Sequence, residues 1–149
     1  MSNSPNVSTF GVWTGLVRAT TRIQGEIEAA LKAEGLPPLG WYDALWEIEK
    51  AGADGIRPFV LQERLLLPQY GLSRLIDRMA ASGYVEKRAC GEDGRGLIVH
   101  QTPAGVAVRA RMWPVYCTAL QVSLGTRLEG GVAAELAETL AKLAQAYPD

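Results

Sequence analysis

One short segment of the chain, residues 69–78, is dense in side chains that bind nucleic acids. Arginine and glutamine have the geometry that best matches guanine and adenine edges in the major groove, and serine or tyrosine hydroxyls bond to bases or phosphates. Six residues of this segment have polar side chains that fall on one side of a helix: Gln69, Tyr70, Ser73, Arg74, Asp77 and Arg78. This composition predicts a DNA-reading surface rather than a catalytic centre.

The helix that would position these side chains is predicted over residues 70–81. A buried stripe opposite the polar residues is expected because apolar side chains recur at helical spacing, at Leu72, Leu75, Ile76 and Met79. Gly83 follows the last of them and can adopt the left-handed conformation that ends a helix. Residues 84–88 then alternate and are rich in strand-forming types, so a β-strand is expected at once.

Further helices are predicted upstream of this segment. The apolar residues of 10–33 keep a helical period over a long amphipathic stretch, residues 36–40 form a proline-containing connector, and residues 41–51 form a second helix. A short helix over 59–66 and a break then lead into the helix of 70–81. Two short helices separated by a break, the second with the polar face, follow the order of a helix-turn-helix.

A hairpin and two more helices are predicted downstream. A second strand over 97–101 pairs with the first strand across a glycine-rich tip. Arg95 lies between two glycines in this tip, an open position suited to a narrow minor groove. The helices are expected over 103–124, where Pro114 predicts a kink or break near Met112-Trp113, and over 132–147.

The composition bounds the class of protein. With 48% hydrophobic and 21% charged residues the chain is typical of globular proteins. The net charge is −1, but residues 57–102 carry seven Lys/Arg against five Asp/Glu, so positive charge is concentrated around the polar helix. Neither a long apolar run nor an export signal is visible, which predicts a cytoplasmic protein with no membrane partner.

The residue types that carry catalysis or bind metals are sparse. Two cysteines and one histidine give no disulfide framework and no metal-ligand spacing, so neither a metal nor a cofactor is predicted. No nucleophile with a base at motif spacing, no paired catalytic carboxylates and no phosphate loop is visible in the sequence, which argues against an enzyme. The chain is therefore interpreted as a binding protein.

Four motifs, in order and at family spacing, resemble those of the MarR family of bacterial winged-helix regulators. Residues 71–79, Gly-Leu-Ser-Arg-Leu-Ile-Asp-Arg-Met, are similar to the family's recognition helix, and residues 83–88 to the G-L-V-x-R-R that follows it. Residues 93–96, Asp-Gly-Arg-Gly, resemble the wing signature D-x-R-A/G, and residues 102–105 resemble the L-T-x-x-G that opens the next helix. A departure is Gln101, which stands where the family prefers leucine.

The resemblance implies a mainly α fold with a small β-hairpin wing. Residues 36–102 would form a winged helix-turn-helix DNA-binding lobe, and residues 10–35 and 103–147 would form dimerisation helices. The implied function is that of a sequence-specific transcription regulator, a homodimer that binds a pseudo-palindromic operator and represses until a small, often aromatic, effector releases it. The effector cleft would be bounded by Trp13, Val17, Trp41, Tyr42 and Trp113. For the tryptophans, ordinary core packing is the competing interpretation.

The resemblance also assigns roles in DNA binding. The residues expected to contact DNA are Gln69, Tyr70, Ser73, Arg74, Arg78, Lys87, Arg88 and Arg95. Three of them, Arg78, Lys87 and Arg88, are interpreted as phosphate anchors or ion-pair partners rather than base readers. Asp77 and Asp93 are expected to orient arginines. The alternative is a protein-interaction module, because winged helices can also bind protein and the slightly acidic total charge is compatible with this. It predicts no steep dependence of binding on salt.

Overall fold

The computed structural model describes residues 3–90 and 96–145, which are mostly helical and include one antiparallel hairpin. The elements are α1 (Val7–Ala33), α2 (Leu39–Ala51), α3 (Pro58–Arg64), α4 (Leu72–Ala81), β1 (Val85–Cys90), β2 (Gly96–Gln101), α5 (Pro103–Ser123) and α6 (Val132–Ala144). The expected fold class, a mainly α chain with a winged helix-turn-helix and a small β-hairpin wing, is confirmed. Among the described residues no helix is both long enough and apolar enough to cross a membrane.

The chain forms two compact units, and both boundaries fall inside long helices. One unit contains the residues up to Ile27 together with those from Cys117 onward, and the other spans Glu28–Tyr116. The second unit holds α2, α3, α4, the hairpin and most of α5. The predicted lobe of residues 36–102 lies within it.

The core of the second unit is built from the apolar stripes predicted for its helices. The stripe of α4 is buried as expected, and it meets apolar residues of α2, α3, the hairpin and α5. The buried cluster is Ala44, Leu45, Ile48, Ile56, Leu61, Leu72, Leu75, Ile76, Met79, Val85, Val99 and Val108. Burial of these side chains provides the main free energy that fixes α4 on the unit.

The two strands of the hairpin are paired along their whole length, and a third segment bridges to one of them. Its register pairs Val85 with Gln101 and Cys90 with Gly96. Ile56 adds a bridge to Val99, with both backbone N–O distances at 2.9 Å. This bridge ties the chain before α3 to the base of the wing.

The long helix α5 runs unbroken from Pro103 to Ser123 through Pro114, so of the expected kink or break the break does not occur. A proline removes one helical hydrogen bond, and the turns on both sides of it must then be held by other contacts. Trp113 stacks on Tyr42 of α2 with ring centroids 5.8 Å apart, and Tyr116 meets the same ring edge-on at 5.2 Å. These contacts fasten α5 to α2 on either side of Pro114.

In the first unit, Arg22 of α1 joins the end of α5. Its Nη2 donates to the Ser123 carbonyl at 2.8 Å, and its Nη1 donates to Ser123 Oγ at 3.3 Å and to Glu26 Oε1 at 2.8 Å. A cation at a helix C-terminus satisfies carbonyls that have no intrahelical partner. The first turn of α1 is capped as well, since Asn6 Oδ1 accepts from the Thr9 amide at 2.8 Å.

Candidate nucleic-acid interface and the adjoining cavity

The exposed face of α4 presents the polar residues that the sequence predicted there. Ser73, Arg74, Asp77 and Arg78 are all exposed, while the opposite stripe is buried. Arg74 and Arg78 are four residues apart and therefore neighbours on one face of the helix. Among the described residues neither arginine forms an ion pair, so both remain available for an anionic partner.

The start of α4 differs from the prediction. The helix begins at Leu72, because Gly71 adopts a left-handed conformation with φ 76° and stands before the first turn. Glycine reaches this conformation without the penalty of about 1–2 kcal/mol that a side chain brings. Tyr70 therefore lies outside the helix, and it is 98% exposed.

Gln69 precedes α4, and its side chain packs toward α2. A Cβ added to Gly40 would overlap the Gln69 side-chain amide, so this side chain lies against the first turn of α2. The Gln69 carbonyl also accepts a hydrogen bond from Gln62 Nε2 at 3.4 Å. Helical spacing does not place Gln69, because residue 69 precedes the helix, but Gln69 still lies near Arg74, since both line one groove.

Two ion pairs organise the strand beside α4. Lys87 Nζ lies 2.6 Å from Asp77 Oδ1, and Arg88 Nη2 lies 2.9 Å from Glu86 Oε2. Hydrogen bonding to Arg88 lowers the pKa of Glu86, and the same bond raises the pKa of Arg88. Asp77 thus pairs with a lysine where an arginine was expected. The predicted wing residues Asp93 and Arg95 lie outside the described residues.

A groove runs beside Arg74 and Arg78. It has a volume of about 530 Å³ and reaches Trp41 and the beginning of α2. Trp41 packs edge-on against Tyr84, with ring centroids 6.1 Å apart. Glu28 holds this part of α2 in place, since its Oε1 accepts from the Leu39 amide at 2.8 Å.

A second cavity, of about 520 Å³, lies between α2, α5 and the connection from α3 to α4. Its aromatic residues are Tyr42, Trp46, Trp113 and Tyr116. Trp113 and Tyr116 meet at a ring-centroid distance of 5.7 Å, in addition to their contacts with Tyr42. Leu66 and Leu67 line the cavity from the connection that leads into α4.

The charged residues of this cavity are paired with one exception. Arg109 contacts Glu49 through two hydrogen bonds, and its guanidinium lies 4.7 Å from the centroid of the Trp46 ring. Hydrogen bonding to Glu49 raises the pKa of Arg109. Lys50 Nζ lies 2.6 Å from Glu47 Oε1. The exception is Asp43, a buried residue whose Oδ2 accepts from the Leu67 amide at 2.7 Å.

The predicted effector residues are divided by the structure. Tyr42 and Trp113 line the cavity between α2 and α5, whereas Trp41 lines the groove beside α4. Trp13 and Val17 are exposed on α1, in the first unit. Sequence analysis missed Asp43, Arg109 and Tyr116 at this cavity. The four-residue spacing of Tyr42 and Trp46 is the signal that could have indicated an aromatic wall.

The comparisons with known proteins agree with the motifs. Residues 34–96 match the sequence model of the MarR family. This region contains α2, α3, α4, β1 and the first residue of β2. No curated protein matches the chain by sequence. The resemblance drawn from the four motifs is confirmed.

Three solved structures have the same fold over nearly the whole chain. Sco3205 from Streptomyces coelicolor, a MarR family transcriptional regulator in complex with DNA, has a TM-score of 0.83 and 21% identity, over 97% of this chain and 90% of that one. A mutant of MarR from E. coli complexed with operator DNA has a TM-score of 0.79 and 19% identity, over 95% of this chain and 100% of that one. Bordetella bronchiseptica BpsR, whose DNA binding is regulated by 6-hydroxynicotinic acid, has a TM-score of 0.76 and 19% identity, over 98% of each chain.

Proposed function

We propose that this chain, whose winged helix is of the MarR type, is a sequence-specific DNA-binding transcription regulator that acts as a homodimer in the cytoplasm. The observation that carries the proposal is the exposed face of α4, where Arg74 and Arg78 have no carboxylate partner among the described residues. An exposed helix with unpaired arginines beside a hairpin is the arrangement that inserts a helix into a major groove.

The roles of the side chains follow from their positions. Arg74 and Ser73 stand in the first turn of α4 and read base edges, and Tyr70 contacts the duplex from the loop just before the helix. Arg78, Lys87 and Arg88 contact phosphates. Arg95 lies outside the described residues, and its assignment to the minor groove rests on the sequence motif. Gln69 acts indirectly, because its side chain supports the start of α2.

The first unit supports dimerisation. Large apolar side chains on α1 and α6 are exposed: Val7, Phe10, Val12, Trp13, Val17, Val132, Leu136 and Leu143. Exposed apolar surface of this extent favours a partner, and a second copy of the chain would cover both helices. Two copies related by a two-fold axis would read half-sites about 34–36 Å apart on a pseudo-palindromic operator.

The cavity between α2 and α5 supports control by a small aromatic effector. Its volume and aromatic lining are typical of small-molecule sites, and Leu66 and Leu67 connect it to the segment before α4. A ligand that displaces this segment shifts α4 and lowers the affinity for DNA. The protein would then repress its target until the effector binds, as the regulation of BpsR by an aromatic acid illustrates for a protein of the same fold.

The experiment that tests DNA recognition is selection of bound duplexes from a random pool, followed by a titration of salt on the selected duplex. A regulator should enrich a pseudo-palindrome, and log affinity should fall with log salt by about 0.9 per phosphate contacted. The alternative is a protein-interaction module, with which the net charge of −1 is compatible. No enriched sequence and no salt slope would reject the regulator and favour that alternative.

A further inference from the structure

The cavity between α2 and α5 combines aromatic walls with one buried carboxylate, Asp43, that forms no ion pair with a described residue. Tyr42 and Trp113 are nearly parallel, with an interplanar angle of 16°, and Tyr116 closes against both rings. Trp113 is 49% exposed, so part of its face is open to a ligand. Aromatic walls of this kind favour a flat, ring-containing ligand.

The two cations at this cavity already have partners. Arg109 is bound by Glu49, with Nη2 and Oε1 3.1 Å apart, and Lys50 is bound by Glu47. Both cations also lie over the Trp46 ring, Lys50 Nζ at 5.5 Å and the Arg109 guanidinium at 4.7 Å from its centroid. An anionic ligand would have to compete with a carboxylate for either of them.

Asp43 is the charged group that stays without an opposite charge. It is 9% exposed and lines the cavity, and no lysine or arginine in the described part of the chain forms an ion pair with it. The polar contact that the structure gives it is the Leu67 amide. A buried carboxylate gains from a cation nearby and repels a second anion, because solvent screens the charge poorly there.

We propose that this cavity binds a cationic aromatic compound in preference to an aromatic carboxylate, with the positive group against Asp43. The cation is attracted by the carboxylate and by the faces of the surrounding rings. The two cations that line the cavity, Lys50 and Arg109, are each paired with a carboxylate, so an anion finds no unpaired positive group among the described residues there. This inference rests on the proposed function only for its effect on DNA.

The test uses three ligands of the same shape and different charge: 1-naphthylmethylammonium, 1-naphthylmethanol and 1-naphthoate. Their affinities for the full chain are measured by calorimetry in the absence of DNA. The ammonium compound should bind about tenfold or more tightly than the naphthoate, with the alcohol between them. Equal or tighter binding of the naphthoate, or binding of none of the three, would overturn the proposal.

Two variants locate the effect. Asp43→Asn keeps an oxygen that can accept from Leu67 but removes the charge, and it should reduce the preference for the ammonium compound to within about threefold. Glu63→Gln, at an exposed position of α3 outside the cavity, is the matched control and should keep the preference. An unchanged preference in Asp43→Asn would show that Asp43 is not the partner. If Asp43→Asn does not fold, the three ligands measured on the unmodified chain still decide whether the cavity prefers a positively or a negatively charged ligand.

A last measurement separates this inference from the proposed regulator. Adding 1-naphthylmethylammonium to the complex with a selected duplex should weaken DNA binding if both are right. A chain that binds the ammonium compound but no duplex retains the cavity assignment and rejects the regulator. A chain that binds a selected duplex but prefers the naphthoate retains the regulator and rejects the cavity assignment.

Discussion

Asp43 on α2 accepts a hydrogen bond from the backbone amide of Leu67, with Oδ2 and N 2.7 Å apart. Leu67 belongs to the connection between α3 and α4, and both residues line the cavity between α2 and α5. One buried side chain therefore touches the cavity and also fixes the segment that leads into α4. We therefore expect Asp43 to position α4 for the proposed binding of DNA.

Replacing Asp43 by alanine should leave the partly buried Leu67 amide without an acceptor. The expected cost is about 1–3 kcal/mol in the free energy of unfolding, measured in urea, together with weaker binding of a selected duplex. Asp43→Asn should lose less free energy of unfolding and less affinity for the duplex than Asp43→Ala, since an amide oxygen can still accept the hydrogen bond from Leu67. Equal losses in the two variants would mean that the hydrogen bond does not hold the connection.

Arg74→Ala should weaken binding to a selected duplex by about 1–3 kcal/mol and relax the preference at one base position, because a base-reading arginine is lost. Gel-shift titrations against the selected duplex and its single-base variants measure both effects. Arg111→Ala removes an exposed arginine of α5 and is the control. Unchanged affinity in Arg74→Ala at moderate salt would remove Arg74 from the interface.

Asp77→Asn should strengthen binding to any duplex, because it removes a negative charge from the face of α4 and frees Lys87. The pair is exposed, so the free energy of unfolding should change by no more than about 1 kcal/mol. In a salt titration of a non-specific duplex, the slope of log affinity against log salt should become steeper by about the amount expected for one additional phosphate contact. In the double variant Asp77→Asn, Lys87→Met the added slope should disappear, and its persistence would show that Lys87 is not the cation released.

The stability of the first unit should fall in acid through Glu26. Hydrogen bonds from Ser123 and then from Arg22 lower the pKa of Glu26 below its ordinary value of 4.5. A carboxyl whose pKa is lowered by folding stabilises the protein above its unfolded pKa, and the contribution is lost as pH falls through the folded pKa. Thermal unfolding at several pH values should show Glu26→Gln less stable than the parent at neutral pH, with the difference lost as the pH falls through the folded pKa of Glu26. A constant difference across this range would exclude a titrating role for Glu26.

Leu136→Arg on α6 should weaken self-association, because it places a charge on the exposed apolar face of this helix. Sedimentation equilibrium should show a dimer dissociation constant raised by about tenfold or more, which corresponds to 1.4 kcal/mol or more. Glu138→Arg, on the other face of α6, is the matched control. A parent chain that remains monomeric at micromolar concentration would contradict the dimer directly.

The sequence by itself determined the elements and the polar face of α4. The buried stripe of Leu72, Leu75, Ile76 and Met79 was readable because helical periodicity is local, and burying that stripe leaves Ser73, Arg74 and Arg78 exposed. The strands of the wing were readable for the same reason. The first residue of α4 could not be predicted, because the left-handed conformation of Gly71 depends on how the preceding loop packs.

Tertiary structure alone decided which distant groups meet. Asp43 and Leu67 are 24 residues apart and Arg109 and Glu49 are 60 apart, and nothing in the spacing of residues along the chain selects these partners. Gln69 turns toward Gly40 only because α2 passes close to the start of α4 and a glycine there leaves room for its side chain. The cavity could not be predicted from the sequence either. Its aromatic rings come from α2 and α5, and packing of the core sets the distance between those two helices.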